Sequence, residues 1–276
     1  MNKFINLHAC ILIIFVLFCG PRFVQAAPSF AGEANIYFAA EFFEWKEFGD
    51  NNSRFLKESG PRYGIGGTYN FEFFNHHLIL KPRLEIIGGE VNYNGQACDI
   101  NTNICQPFKT DTNYFGGKVE LDLGWRLGSL QRASLEPYAG IGFRGWLRDL
   151  QNGTADDGSR VAGYTEEWLT LYGRAGLRGS VALGEKTYVF AEVGGKFPFY
   201  TENTAYLSDA GLGPNVTLKP GNRPSLIAEA GVKVRLFKVS FYYDSMRFSQ
   251  SDVLSNGYYQ PKSNADMYGI RVGVAF

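Results

Sequence analysis

Residues 164–201 read YTEEWLTLYGRAGLRGSVALGEKTYVFAEVGGKFPFYT. In the first half, Leu169, Leu171, Ala175, Leu177, Val181 and Leu183 fall on one face of an extended chain, and Thr170, Tyr172, Arg174, Arg178 and Ser180 on the other. Gly184-Glu185 then turns the chain into a second segment of the same kind. Long polar stretches flank the pair, LQNGTADDGSRVAG (150–163) before it and ENTAYLSDAGLGPNVTLKPGN (202–222) after it. Two amphipathic strands therefore share a tight turn at one end and run into long loops at the other.

The pattern extends in both directions. Amphipathic segments are expected at 33–48, 61–73, 78–93, 109–127, 134–149, 164–183, 186–201, 223–236, 239–250 and 265–276. The last is the clearest: Tyr268, Ile270, Val272, Val274 and Phe276 share one wholly apolar face. Alternation alone also suits a soluble sandwich, so the connections decide. Those after the first, third, fifth, seventh and ninth segments are long and polar. Those after the second, fourth, sixth and eighth (FNHH, GSLQRA, GE and FK) are tight. Loops at one end, turns and both termini at the other, and an even strand number are the requirements of a transmembrane barrel with short periplasmic turns and long extracellular loops. Lipid offers no partner to an edge strand, so the first and last strands must pair. The expected fold is all-β, a closed antiparallel transmembrane β-barrel of about ten strands, with eight and twelve as the neighbouring counts.

Composition agrees. Gly is 33 of 276 residues, aromatics are 16% and charged residues only 20%, which suits strands and turns rather than a helical bundle. The formal net charge is zero, so there is no broad positive field to hold nucleic acid. Residues 1–26 read as a cleaved signal peptide: Lys3 supplies the positive region, ILIIFVLFC (11–19) the apolar core, and Val24-Gln25-Ala26 the cleavage pattern. A single barrel domain, 27–276, is expected to remain. Its two cysteines, Cys98 and Cys105 in CDINTNIC, close a short polar ring, and export makes a disulfide the default. The competing readings are a free thiol pair or a metal site, although zinc would need two further ligands and no His lies nearby.

The signal sequence, the alternating segments and the terminal MYGIRVGVAF (267–276) resemble the small bacterial outer-membrane β-barrels, the OmpA-like and opacity-type superfamily, barrel domain only. The resemblance implies residence in the bacterial outer membrane, contact with its lipid and lipopolysaccharide, and recognition of Phe276 by the barrel-assembly machinery. Aromatic girdles are expected at both interfaces: Phe42, Phe43, Trp45, Trp168, Phe199 and Tyr243 toward the loops, and Phe71, Phe73 and Trp125 toward the turns.

Chemistry is sparse. Protease barrels of the omptin type use an Asp-His pair and lipid A deacylase barrels a His-Ser pair, whereas the expected mature chain holds only His76 and His77, both in the FNHH turn. No enzyme, cofactor or resident metal is expected. Asp99, Asn101 and Asn103 have part of a calcium-loop spacing, but lack the Gly and the closing Glu. The inward face is charged, with Arg83, Glu85, Lys118, Glu120, Asp122, Arg126, Arg174, Arg178, Glu192, Glu229, Lys233, Arg235 and Arg271 forming a lumen network. Arg62, Lys81, Arg144, Arg148, Lys196, Glu41, Glu72, Glu136 and Asp244 face the same way. Charges at membrane depth are paired or wet, and a barrel this narrow is largely filled by its own side chains. An internal paired network is therefore expected ahead of a conducting path; the basic excess would make any residual pore mildly anion-selective. The function expected is a surface-exposed binding or envelope-integrity role carried by the extracellular loops, ahead of a narrow porin-like channel and then of a lipid- or peptide-modifying enzyme.

Overall fold

A computed structural model describes residues 32–49, 51–98, 105–255 and 257–276. The signal peptide assigned to residues 1–26 and the calcium spacing at Asp99, Asn101 and Asn103 lie outside the described residues.

Ten strands form the wall: β1 (Gly32–Phe48), β2 (Arg54–Phe73), β3 (Leu78–Cys98), β4 (Cys105–Trp125), β5 (Ala133–Leu150), β6 (Thr165–Gly184), β7 (Thr187–Ala205), β8 (Ser225–Val234), β9 (Phe237–Ser249) and β10 (Lys262–Ala275). Each pairs antiparallel with its sequence neighbours. β1 pairs with β10 from Asn35↔Ala275 to Phe48↔Lys262, so the sheet closes. The backbone of Phe276 completes the seam through Ala34, with N–H···O contacts of 2.8 and 2.9 Å. Closure pairs the first strand with the last, which is the condition for a sheet in lipid.

The outward face carries an apolar belt that ends abruptly on the loop side. On β1 it comprises Ile36, Phe38 and Phe42, then gives way to Glu44 and Lys46; on β4 it runs from Trp125 to Phe115 and ends at Asn113. Strand length far exceeds the belt. β6 has 20 residues, about 66 Å of chain at ~3.3 Å per residue. At the usual tilt this stands about 50 Å high, twice the ~25 Å apolar band of such barrels. The loop-side half of the wall therefore projects beyond the belt. It is uneven, because β8, β9 and β10 have only 10, 13 and 14 residues.

Two connections expected to be long loops are mostly strand. GDNNSRFLKESG shortens to residues 49–53, because Phe55 to Gly60 belong to β2, where Lys57 pairs with Lys46 and Ser59 with Glu44. Cys98 and Cys105 lie directly opposite in register and form a disulfide at the tip of the β3–β4 hairpin. Outward polar residues at these heights face water rather than lipid, so the apolar alternation fades while the ladder continues.

Some glycines make room for inward rings. A Cβ on Gly142 would lie 2.4 Å from the Tyr172 ring, and one on Gly66 would lie 2.5 Å from Tyr37. Both tyrosines are thereby laid flat against the wall with their hydroxyls in the bore.

Candidate functional site

The interior is layered along the barrel axis. Strand alternation aims every second residue inward, and the inward residues sort by height into a turn-end ion-pair lattice, a carboxylate hub, an aromatic plug and an acidic cluster at the loop end.

The lattice is built on arginines. Arg178 contacts Glu136 at 2.9 Å, Glu192 at 3.1 Å, and Asp122. Arg174 contacts Glu192 at 2.7 Å, Asp122 at 3.3 Å, and Glu120. Arg271 joins Glu85 at 2.9 Å to Glu229 at 2.8 Å, and Arg83 stands 3.5 to 3.9 Å from Glu120, Glu192 and Glu229. Tyrosine hydroxyls add further donors: Tyr37 donates to Glu85, Tyr138 to Glu192, Tyr172 to Glu120 and Tyr242 to Glu41, at 2.7 to 2.8 Å. Higher up, Asp244 is the hub. It accepts from Lys118 at 3.1 Å, from Arg144 at 2.8 Å, and from Lys196.

The structure thus brings Arg83, Glu85, Lys118, Glu120, Asp122, Arg174, Arg178, Glu192, Glu229 and Arg271 into one connected network. Arg126 and Lys233 sit apart from it at the turn end, paired with Glu72 at 2.8 Å and with Glu33 respectively. Arg235 is elsewhere. It lies in the β8–β9 turn at φ +56°, exposed, with its N–H on the Lys186 carbonyl. The alternation that sets Lys233 inward ends at this turn, so extending it to Arg235 misplaces that side chain.

Three residues of the plug are ones that sequence reading put in the interfacial girdle. Phe43, Trp45 and Trp168 are buried inside the bore. Trp168 lies 5.0 Å from Trp45, 5.5 Å from Trp146 and 5.3 Å from Phe248 between ring centres, and Phe43 packs on Tyr114 at 4.7 Å. These rings come from β1, β4, β5, β6 and β9 and meet across the lumen. Neighbouring residues on a strand face opposite ways, so an outward Phe42 sends Phe43 and Trp45 inward; that parity was the available signal.

Beside the plug, beyond the belt, Glu47, Glu58 and Glu166 surround Arg148. Arg148 contacts Glu58 at 2.6 Å and Glu166 at 2.9 Å. The indoles of Trp45 and Trp168 donate to Glu47 and Glu166, both at 2.9 Å. Gln260, from the last loop, donates to Glu47 at 3.2 Å and accepts from Asn203 at 2.8 Å. Three carboxylates against one guanidinium leave Glu47 without a cation of its own. Burial, reinforced by Glu166 and Glu58 and opposed by Arg148 and the Trp45 indole, pushes its carboxyl up to about 7. The folded state then holds a proton that an ordinary glutamate near 4.5 releases. Its stability contribution is complete below pH 4.5 and is lost as pH rises through about 7, a fall on the order of 3 kcal/mol. Raising the pH from 5.5 to 8 should lower the urea midpoint of the wild-type barrel, and Glu47→Gln should flatten the dependence. An equal slope in both proteins would refute the assignment.

Neither histidine reaches this end. His76 contacts Glu72 at 2.5 Å and His77 the Arg126 carbonyl at 3.0 Å, both at the turns. Among the described residues no group of three His, Cys, Asp or Glu side chains is placed to hold a metal ion.

No family model matches the chain, and no curated protein matches its sequence. Solved structures align with it along most of the chain. The outer membrane protease OmpT from Escherichia coli aligns with TM-score 0.61 and 13% identity, over 91% of this chain and 99% of that one. The translocator domain of the autotransporter NalP from Neisseria meningitidis gives 0.44 and 10%, over 98% and 95%. An outer membrane channel from Pseudomonas putida F1 gives 0.40 and 10%, over 93% and 99%. At such identities the likeness bears on fold alone: this is an outer-membrane-type β-barrel.

Proposed function

We propose that the chain is an integral protein of the bacterial outer membrane whose bore is sealed and whose working surface is the loop-side rim: a surface-exposed binding or envelope-integrity protein. The aromatic plug above the ion-pair lattice carries this reading. A solute path would have to part rings that touch across the lumen and then a lattice whose carboxylates are bound by arginine and, at Glu85, Glu120 and Glu192, by tyrosine as well. Loops on a rigid wall are where binding usually resides. The opacity-type resemblance of the terminal strand points the same way and, on this reading, the assembly machinery recognises Phe276, which is exposed where the barrel closes. The protein is read as non-enzymatic, because His76 and His77, the histidines among the described residues, lie at the turn end, away from that rim. Lipid and lipopolysaccharide at the belt are the further partners this reading requires.

The test is single-channel recording of refolded residues 27–276 in a planar bilayer, with folding verified by faster migration of the unheated protein on a denaturing gel. A folded, electrically silent barrel is the expected result. Steady openings in the wild type, with a selectivity altered by Arg174→Gln, would replace this reading with a channel.

A further inference from the structure

At the turn end of the bore the lattice leaves a cavity of about 240 Å³, reaching from Arg83 and Glu192 down to Arg126 and Leu130 beside the tight turns. The acids of its wall are all engaged: Glu33 by Lys233, Glu72 by Arg126, Glu136 by Arg178, Glu192 by Arg174 and Arg178, and Glu229 by Arg271. Two of its cations are not. Lys81 and Lys238 line the cavity, and neither ammonium makes an ion pair or hydrogen bond among the described residues. Both also border an adjoining recess with Arg83 and Arg271, where Glu229 is the single acid. Lys238 stands 4.3 Å from the centre of the Phe190 ring and directly opposite Lys233 in register. Like charges facing one another across a strand pair are destabilising. Asn70 adds an amide to the wall.

Elsewhere in this bore arginines are neutralised by carboxylates; here six cations face five acids that are already engaged, so Lys81 and Lys238, with room beside them, are charges that a negative ligand would neutralise. Lysine ammonium groups serve as point-charge donors to phosphate, and two of them without partners match two negative charges. We infer that this vestibule binds a phosphate-type dianion, either free or carried as a monoester on a small solute, admitted from the side of the tight turns. Lys81 and Lys238 contact it directly, with Arg83 and Asn70 beside them. The inference concerns the opposite end of the barrel from the rim and does not depend on what the loops bind.

The probe is inorganic phosphate, added to the refolded barrel in micelles against chloride at matched ionic strength. A ligand that binds only the folded state raises the unfolding midpoint saturably. The wild-type midpoint should rise with phosphate, and the rise should be lost in Lys81→Met/Lys238→Met while Lys46→Gln/Lys57→Gln, on the outer wall, keeps it. Removing unpartnered charges should leave the double variant at least as stable as the wild type without phosphate, so its loss of response is not a loss of fold; either single variant, with its response reduced, is the second check. Glycerol 3-phosphate separates the sources: a matching rise means that the site accepts monoesters, and a rise with inorganic phosphate alone means that it takes the free ion. No saturable rise with either compound, or an equal rise in the Lys81→Met/Lys238→Met variant, overturns the inference.

Discussion

Asp244→Asn is expected to lower the unfolding free energy of the barrel by about 3–5 kcal/mol, the range for breaking a buried ion pair from one side. Asp244 is buried and accepts from three cations. Lys118 retains Glu85 at 3.0 Å when the hub charge is removed. Arg144 and Lys196 have no other carboxylate partner among the described residues; what remains to them is the sulfurs of Met267 and Met246 at 3.1 Å and, for Lys196, the Tyr172 ring at 5.4 Å. An asparagine preserves shape and removes only charge, so the loss measures stranded cations rather than a cavity. The decisive measurement is a double-mutant cycle by urea titration in micelles. Lys196→Met added to Asp244→Asn should recover part of the loss, because one of the stranded charges is gone. Strictly additive effects would mean that the two groups do not act as a pair.

Trp168→Ala is the second large change. Its side chain is wholly buried at the centre of the plug, in contact with Trp45, Trp146 and Phe248. Removing a buried tryptophan costs about 3–5 kcal/mol through lost burial and the cavity left behind. Here it also removes the indole that satisfies Glu166. Two readouts are expected to move together: a lower unfolding midpoint, and brief openings in planar bilayers where the wild type is silent. Trp168→Phe should restore most of the stability and keep the bore closed. An alanine variant that is destabilised yet remains electrically silent would place the barrier in the lattice below rather than in the plug.

Much of this was legible in the sequence for a physical reason. Within the belt, hydrocarbon outside and charge inside leave only one parity for each strand, so residues such as Leu169 and Arg174 declare their faces, and the pairing of β1 with β10 follows from closure. Beyond the belt both faces meet mixed surroundings, and the signal weakens. Phe55 to Gly60 read as a loop because Lys57 and Ser59 face water, although they remain in the ladder. Trp45 and Trp168 read as girdle because aromatic rings suit a headgroup layer and a buried stack equally. Glu47, Glu58 and Glu166 were missed for a related reason: carboxylates on strand extensions look like solvated surface until partners from distant strands and the last loop are brought together in space. Lys81 and Lys238 became distinctive only when the lattice showed which cations the available acids leave over.

The abrupt upper edge of the apolar belt has a consequence for insertion. Below it, β1 turns Ile36 and Phe38 outward and Glu41 inward; above it, the same strand turns Glu44 and Lys46 outward and Trp45 inward. The outer face of the barrel therefore changes from apolar to charged at one height on β1 and β4, where the inner face passes from ion pairs to the aromatic plug. Sinking it by one residue pair would carry Glu44 and Glu90 into hydrocarbon, at a cost that grows with depth. Raising it would strip lipid from Phe42 and Tyr268. The change acts as a depth stop, so the loops can be exchanged or lengthened without changing how far the barrel sits in its membrane.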